Sequence, residues 1–508
     1  MITATKQERQ IAAKWNEFQQ DPKGFITTCL DVKPEHFWSK MEDVANSIRD
    51  NQFTAVHASH SVSKTYGAGR IATWFKACFN PSTIITTAPS DNLVKNQLWR
   101  EIHAAYAGAK VELGGKMTGL QWDCKPTKNI LEQLEPDERG LWEKNFAIGF
   151  STSPDTVTET ATKMHGFHNK WVLVILDEAG GILRPIWKAA LEGLMIDERC
   201  KILAIGNPTD PIGYFADACK PGSGWNVINI SVEDTPNYIE SREVIPGVAG
   251  RDYYNRMANK YGKNSNTFKI RVLGQFPSYR EGTFYGQEIA KARQEKPSRI
   301  GDYPHEPGLQ VYTFSDLGDM YTAFLFAQLR QGRIRIIDCY WNNQGVGLPE
   351  YAKVLHSKPY DYLEHYTGDD IVGSNAKSVQ TGLMTRDIAA QLGIDFIPVI
   401  NPNFDDGIQT VRSIWPLLEI NKPLCKVFLQ AVDGYRKKKN EAISTDDQPS
   451  YHQTPIPNAW ENHMMDALRH LALAYRYLID KGTSIARRPG TTTRKQDERS
   501  CSYNVMEF

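Results

Sequence analysis

Lys64 and Thr65 follow the small-residue run Ala58-Ser59-His60-Ser61-Val62-Ser63, which leads out of the apolar stretch FTAVHA into helix-forming sequence. A strand, a tight loop, Lys-Thr and then a helix is the layout of a phosphate cradle. Backbone N–H groups at the helix N-terminus face phosphate oxygens, the lysine reaches the β- and γ-phosphates of ATP, and the hydroxyl ligates Mg2+. Ser59, His60, Ser61, Val62, Ser63, Lys64 and Thr65 are therefore candidate nucleotide contacts, with Thr65 also a metal ligand. Ala58 and Ser63 stand where the usual G-x-x-x-x-G-K-[ST] pattern has glycines, so the segment alone also reads as a polar strand-to-helix turn.

Two further stretches give that reading its company. WVLVILDEAGGI is a continuous apolar strand ending in Asp177-Glu178, which puts two carboxylates at the carboxyl edge of a buried sheet, where ligands of open α/β sheets sit. Asp177 is suited to hold Mg2+ through water, and Glu178 to polarise an attacking water as the catalytic acid-base group. CKILAIGNPTD ends another strand in Asn207-Pro208-Thr209, where Asn207 or Thr209 could sense the γ-phosphate; a simple Asn-Pro turn is the alternative.

A second constellation lies further on. VYTFSDLG places Asp316 at the end of an apolar strand, YLEHYTGDD places Asp369 and Asp370 at the end of another, and NHMMDALRHLALAYRYL is an amphipathic helix with Asp466 in its first turns. Three carboxylates from two strand ends and a helix suit two metals about 4 Å apart that clamp the attacking water and the leaving oxygen of a phosphodiester. Asp316, Asp369 and Asp466 are the expected catalytic set. Asp316, Asp466 and one or both of Asp369 and Asp370 are the expected ligands, Asp369 being preferred as the first off its strand. Hard oxygen ligands suit Mg2+ or Mn2+. His463, three residues before Asp466, reads as a ligand neighbour or as a helix-capping histidine, the latter preferred.

The elements that must position these residues fall into two sets. From Phe53 to Ile230 short β-branched runs alternate with helical stretches, which predicts a mostly parallel sheet with crossover helices. From Leu309 consecutive strands joined by tight turns, LQVYTFSDLG, AFLFAQLR and RIRIIDCYW, predict a mixed sheet. Between them EGTFYGQEIAKARQEKPSRIGDYPHEPG, rich in Pro, Gly and charge, reads as a linker.

At 508 residues the chain has room for two or three domains, and Lys+Arg and Asp+Glu both count 59, so no bulk positive field announces a nucleic-acid partner. Local clusters must serve instead; the run Arg436-Lys437-Lys438-Lys439 and Arg487, Arg488 and Arg494 of the tail are candidates. The eight cysteines form no CxxC pair, which argues against a zinc site or disulfide framework, and no apolar run nears the ~18 residues of a membrane span. A reducing cytoplasm and no membrane partner are the expectation.

With both constellations in view, the chain resembles the large terminase subunit of tailed bacteriophages. The resemblance runs from Trp38 to Tyr477 through ASHSVSKT, TTAPSDNLVKNQLWREI, VILDEA, IGNPTDPIGYF, RVLGQFPS, FSDLG, GDD and HMMDALRHL in that order. It implies an α/β protein of two domains, an additional-strand P-loop ATPase with a mostly parallel sheet and a ribonuclease-H-like mixed-sheet nuclease. The implied division is a helical lead-in (1–50), a motor domain (51–285), a linker (286–307), a nuclease domain (308–480) and a mobile tail (481–508). The implied cofactors are ATP and Mg2+ or Mn2+. The implied partners are double-stranded viral DNA, the portal protein, the small terminase subunit and other copies of the chain in a pentameric ring on the prohead, in the host cytoplasm. Arg100, Arg139 and Arg184 are candidates for the transition-state arginine. A helicase-like remodelling ATPase without nuclease activity is the alternative.

Overall fold

The computed structural model describes residues 15–152, 157–318, 320–369, 384–400, 403–442, 444 and 450–485. The chain divides into two compact units, Met1–Ser278 and Tyr279–Phe508. Among the described residues no helix is long and apolar enough to cross a membrane.

The first unit is built on β1 (Phe53–Ala58), β2 (Ser82–Ala88), β3 (Lys116–Thr118), β4 (Gln121–Asp123), β5 (Phe146–Ser151), β6 (Trp171–Asp177), β7 (Cys200–Gly206) and β8 (Asn226–Ile230). Their order is β3-β4-β5-β2-β6-β7-β1-β8. From β5 to β8 every pairing is parallel, while β3 and β4 add antiparallel. β2 and β7 are buried along their whole length, as continuous apolar and threonine-rich runs must be when helices cover both faces. The β3-β4 hairpin went unanticipated because three residues per strand are too few to show alternation. One order relation matters for chemistry: β7 lies between β1 and β6, so Ala58, Gly206 and Asp177 reach one sheet edge, with His57 paired to Gly206 and Asp177 to Ile205.

Helices α1 (Pro22–Cys29), α2 (Ser39–Asp50) and α3 (Lys64–Cys78) close one face. Met41, Val44 and Ile48 recur at helical spacing and are buried with Phe25, Phe37 and Trp74 in the same core. The described part of the expected lead-in is thus integral to the first unit rather than an appendage. The opposite face packs Ile85, Val174 and Leu176 against Trp187 and Phe215.

The second unit holds β9 (Ile300–Gly301), β10 (Val311–Leu317), β11 (Thr322–Arg330), β12 (Arg333–Asn342), β13 (Tyr362–Gly368), β14 (Phe396–Val399) and β15 (Leu418–Asn421) in the order β14-β13-β10-β11-β12-β15-β9. β10, β11 and β12 form an antiparallel meander, and β13 and β14 then add parallel to β10. The β11-β12 turn places Gln331 at φ 48° and Gly332 at φ 78°, both left-handed, as a two-residue hairpin of right-handed twist requires. One face carries Phe314, Leu325 and Tyr366 under the long helix Glu461–Ile485, whose Met464, Met465, Leu468 and Leu471 are fully buried. The other face carries Val311, Phe324 and Phe326. The expected class, α/β with one mostly parallel and one mixed sheet, is the one the chain adopts.

The segment expected as linker, 286–307, departs from expectation. Gly286–Gln294 is a helix, β9 pairs parallel with β15, and Tyr285 and Ile289 are fully buried in the core of the second unit. The apolar positions Ile289, Ala290, Ala292 and Ile300 are spaced among charges that face outward, so composition concealed a one-sided helix. A fragment starting at Pro304 should therefore melt well below one starting at Tyr279, since it loses burial worth roughly 4–6 kcal/mol from Tyr285, Ile289 and Ile300. Circular-dichroism melts of the two fragments check this; equal midpoints would restore the linker.

Candidate functional site

Asn207, at the end of β7, ties the first site together. Its Nδ2 donates to the Ala58 carbonyl at 2.7 Å, and its Oδ1 accepts from Lys64 Nζ at 2.9 Å. Glu178 Oε1 lies 3.6 Å from the same ammonium. Lys64, Glu178 and Asn207, far apart in sequence, thus meet at the shared edge of β1, β7 and β6. Asn207, not Thr209, is the residue that reaches the lysine.

The loop between β1 and α3 carries backbone strain. Ser61 and Ser63 sit at φ 55° and 64°, in the left-handed region that glycine adopts most readily. Ser63 thus keeps the backbone shape of the glycine it replaces. Val62 is fully buried and anchors the loop. From Ser61 to Thr65 the chain runs into the first turn of α3, whose N–H groups have no intrahelical acceptors. Ser59 and His60 are tied down through their backbone. Their N–H groups donate to the carbonyls of Ile230 (2.8 Å) and Arg271 (3.1 Å), so the first two loop residues tie the loop to its own unit. The Ser59 hydroxyl is buried with no hydrogen-bond partner. Thr65 is half-buried and lines a cavity of about 390 Å³ with Asn96, Gln97 and Arg100.

Asp177 is fully buried. One carboxylate oxygen accepts the Glu178 N–H at 3.1 Å, and the other has no partner. Burial, and then the charge of Glu178, push its carboxyl up to about 7 against the pull of Lys64. Glu178 itself is left-handed at φ 49°, a strained backbone for a residue with a side chain, of the kind found where a site fixes it. A buried acid with an orphaned oxygen beside a lysine at a helix N-terminus fits a cation and an anion bound together.

The candidate arginines separate. Arg139 is spent on the carbonyls of Leu131, Glu132 and Leu134 and serves its own turn. Arg184 lies 5.9 Å over the Tyr214 ring, and Arg100 is 73% exposed.

In the second unit Asp316 comes off β10 and accepts a 2.6 Å hydrogen bond at Oδ2 from His463 Nδ1. His463 is therefore not the helix cap expected; it lies one turn before Asp466 on the Glu461–Ile485 helix, on the face that packs on β10. The Asp316 bond raises the imidazole's affinity for a proton. Asp466 is raised to about 6, chiefly by burial and opposed first by Arg469, with the Asp316 charge pushing the same way as burial. Arg469 donates to Asp466, and His470 bonds the Ser315 carbonyl at 2.8 Å, which pins the helix against the strand. The ring of Tyr321 lies 4.9 Å from that of His463.

Asp316, His463 and Asp466 are brought together. Asp369 is the first residue past β13 and half-buried. Among the described residues no group of three or more His, Cys, Asp and Glu is gathered closely enough to hold a metal ion, so Asp369 does not complete a closed ligand set with Asp316 and Asp466. The His463 and Arg469 bonds draw one oxygen of each acid towards a protein partner instead. Asp370 lies outside the described residues, as do Arg487, Arg488 and Arg494. Of the basic run, Lys437 bonds Gln453 at 2.8 Å and Lys439 pairs with Glu441 at 3.9 Å.

The roles of Arg469 and the Asn207 bridge escaped the sequence reading, which set His463 beside the acids only as the less favoured of two readings. The i, i+3, i+6 spacing of His463, Asp466 and Arg469 on one apolar helix was the available signal.

The molecule is an α/β protein with a lysine-acid-asparagine cluster at the edge of a mostly parallel sheet and an acid-histidine cluster on a mixed one. It is similar to the large terminase subunits of tailed bacteriophages. The probable terminase large subunit of Enterobacteria phage P7 is 24% identical over 268 residues, 51% of this chain and 49% of that protein, so the chain spans about half the length of the curated relative it matches. Among solved structures, the HK97 bacteriophage large terminase is 11% identical, with 91% of this chain and 98% of that chain covered at a TM-score of 0.40. The large terminase of a thermophilic bacteriophage, in complex with ADP, is 13% identical, with 85% and 98% covered at a TM-score of 0.34. No family model matches the chain.

The buried acid has a measurable consequence. Because the folded pKa of Asp177 lies above the unfolded value, the native state holds a proton that the unfolded chain releases between about pH 4 and 7. Stability conferred by that proton falls as pH rises through this window. Asp177→Asn should thus stabilise the ligand-free protein at pH 8 by on the order of 2–4 kcal/mol, and by much less at pH 4. Denaturant titrations at the two pH values check the difference; an equal effect at both would place the carboxylate in a solvated setting.

Proposed function

We propose that the chain is a DNA-packaging motor and nuclease of the large-terminase kind. ATP hydrolysis in the first unit drives double-stranded viral DNA into proheads, and the second unit cuts the concatemer. The meeting of Lys64, Glu178 and Asn207 at one sheet edge carries this reading, because it supplies a phosphate-binding cation, a water-orienting carboxylate and a sensor in mutual contact. In the ligand-free protein Lys64 rests on Asn207 and Glu178. When it turns to the β- and γ-phosphates, both partners are released, Glu178 to orient the attacking water and Asn207 to report whether the terminal phosphate is present. Because Asn207 also holds the Ala58 carbonyl, that report reaches the start of the loop.

Asp177 and Thr65 are suited to hold Mg2+ at the nucleotide. Asp316 and Asp466, with a further carboxylate from Asp369 or Asp370, are suited to hold Mg2+ or Mn2+ in the second unit. A bound divalent ion would supply charge neutralisation at the phosphate oxygens and, in the second unit, activation of water. His463 holds Asp316 in place and can keep or pass on a proton at its ring nitrogen. Viral DNA, the portal protein, the small terminase subunit and further copies of the chain in a ring are the partners this function requires, in the cytoplasm of the host. A helicase-like remodelling ATPase without nuclease activity leaves the Asp316-His463-Asp466 contact without a task.

Lys64→Ala should abolish nucleotide-dependent turnover, and Glu178→Gln should bind ATP yet hydrolyse it about 100-fold more slowly. A folded Lys64→Ala protein that turns over ATP at the parent rate would refute the phosphate-loop assignment. Asp316→Asn and Asp466→Asn should each lower Mn2+-dependent plasmid cutting by about 100-fold while leaving ATPase activity within about twofold. Loss of both activities together in either variant would argue that the two sites are not separable.

A further inference from the structure

Resting on the reading of the second unit as a nuclease, we infer that the half-buried rings of Tyr321, Trp341, Trp460 and His463 form a wall beside Asp316. On it an unpaired nucleobase next to the scissile phosphodiester stacks. Strand register carries the placement. Asp316 on β10 pairs with Ala323 on β11, and Ala323 pairs with Trp341 on β12. Residues directly opposite one another across neighbouring strands share a face, so the carboxylate and the indole lie on one side of the sheet, two strand spacings or about 10 Å apart. Within that row only the buried Ala323 stands between them.

Rings bridge the gap. His463 bonds Asp316 at 2.6 Å, and its ring lies 4.9 Å from that of Tyr321. Tyr321 in turn stacks on Trp341, with centroids 5.5 Å apart and planes 12° from parallel, and Trp341 meets Trp460 at 5.2 Å. Each end of the wall is fixed. The Gly318 N–H donates to the Tyr321 carbonyl at 2.9 Å, and a side chain added at Gly318 would meet that oxygen at 2.7 Å, so the β10-β11 turn is tight where it delivers Tyr321. Trp460 sits in a loop that Asn462 closes, its side chain donating to the Ile456 carbonyl and its N–H to the Ala459 carbonyl, both at 3.1 Å.

Rings that serve only the core of this unit look different. Tyr285 and Trp415 also stack, 5.4 Å apart and 18° from parallel, but both are fully buried. All four rings of the wall keep part of their surface open beside the acids. A phosphodiester held at Asp316 and Asp466 carries a base on either side of it. In a duplex both faces of each base are covered by its neighbours, so only a base released from the stack can lie against side-chain rings. Every base has a π-face, and stacking of this kind is therefore indifferent to sequence. The wall selects DNA that is opened at the cut, and Tyr321, Trp341 and Trp460 are positioning residues for the opened strand.

Two DNA duplexes of one length test this with the full chain, one fully paired and one with a short mismatched bubble at its centre. With Mn2+ the unmodified chain should cut the bubble about tenfold more efficiently, the difference lying in KM. Trp341→Leu and Trp460→Leu should each reduce that preference to within about twofold, and Trp341→Phe, which keeps a stacking ring, should retain it. Irradiating the unmodified chain, free of divalent metal, with a single-stranded oligonucleotide carrying 5-iododeoxyuridine should crosslink Tyr321, Trp341 or Trp460, a result that does not depend on any variant folding. Equal cutting of both duplexes by the unmodified chain, or crosslinks only elsewhere, overturns the inference and leaves the nuclease reading standing. A preference kept in both leucine variants, or lost equally in Trp341→Phe and Trp341→Leu, overturns it too. Cutting of neither duplex removes the nuclease reading, and this inference with it.

Discussion

The contact on which the first unit turns is the one Asn207 makes in two directions, to the Ala58 carbonyl and to Lys64. It exists only because β7 is inserted between β1 and β6. Were β1 and β6 direct neighbours, Asp177 and Glu178 would crowd the loop and no side chain could bridge its start to its lysine. With β7 between them, the acids stand one strand away and Glu178 reaches the ammonium at 3.6 Å.

Both sites hold free energy in reserve. Asp177 has a buried oxygen without a partner, Glu178, Ser61 and Ser63 sit in left-handed backbone, and Asp466 keeps a raised carboxyl beside Asp316. Each of these costs about 1–3 kcal/mol in a ligand-free protein and persists only because the surrounding sheet overdetermines it. Tightly packed surroundings make that possible. Val62 locks the loop, β2 and β7 are buried throughout, and the Glu461–Ile485 helix lays a fully buried apolar stripe on the second sheet.

The two units solve the same problem differently. In the first, a helix N-terminus and strand ends bring Lys64, Asn207 and Glu178 to one sheet edge. In the second, a strand and a helix bring two acids together, and His463 and Arg469 each bond an oxygen of one of them. The two acids feel each other's charge, and among the described residues no group of three His, Cys, Asp or Glu gathers to hold a metal ion.

Much of this was legible in the chain itself. Continuous apolar runs ending in Asp177, Gly206 and Asp316 located strands and their chemical ends, because burial on both faces leaves no alternation and polar groups appear only where a strand surfaces. Helical periodicity likewise located α2 and the Glu461–Ile485 helix. What the sequence could not determine was which ends meet. The β1-β7-β6 order, the commitment of Ser59 and His60 to Ile230 and Arg271, the His463 bond to Asp316 and the folding of 286–301 into the second unit all pair residues remote in sequence or hide apolar positions among charges. Local propensity and periodicity report the burial of one element against an unspecified partner. The identity of that partner is decided by packing, which is a property of the assembled chain.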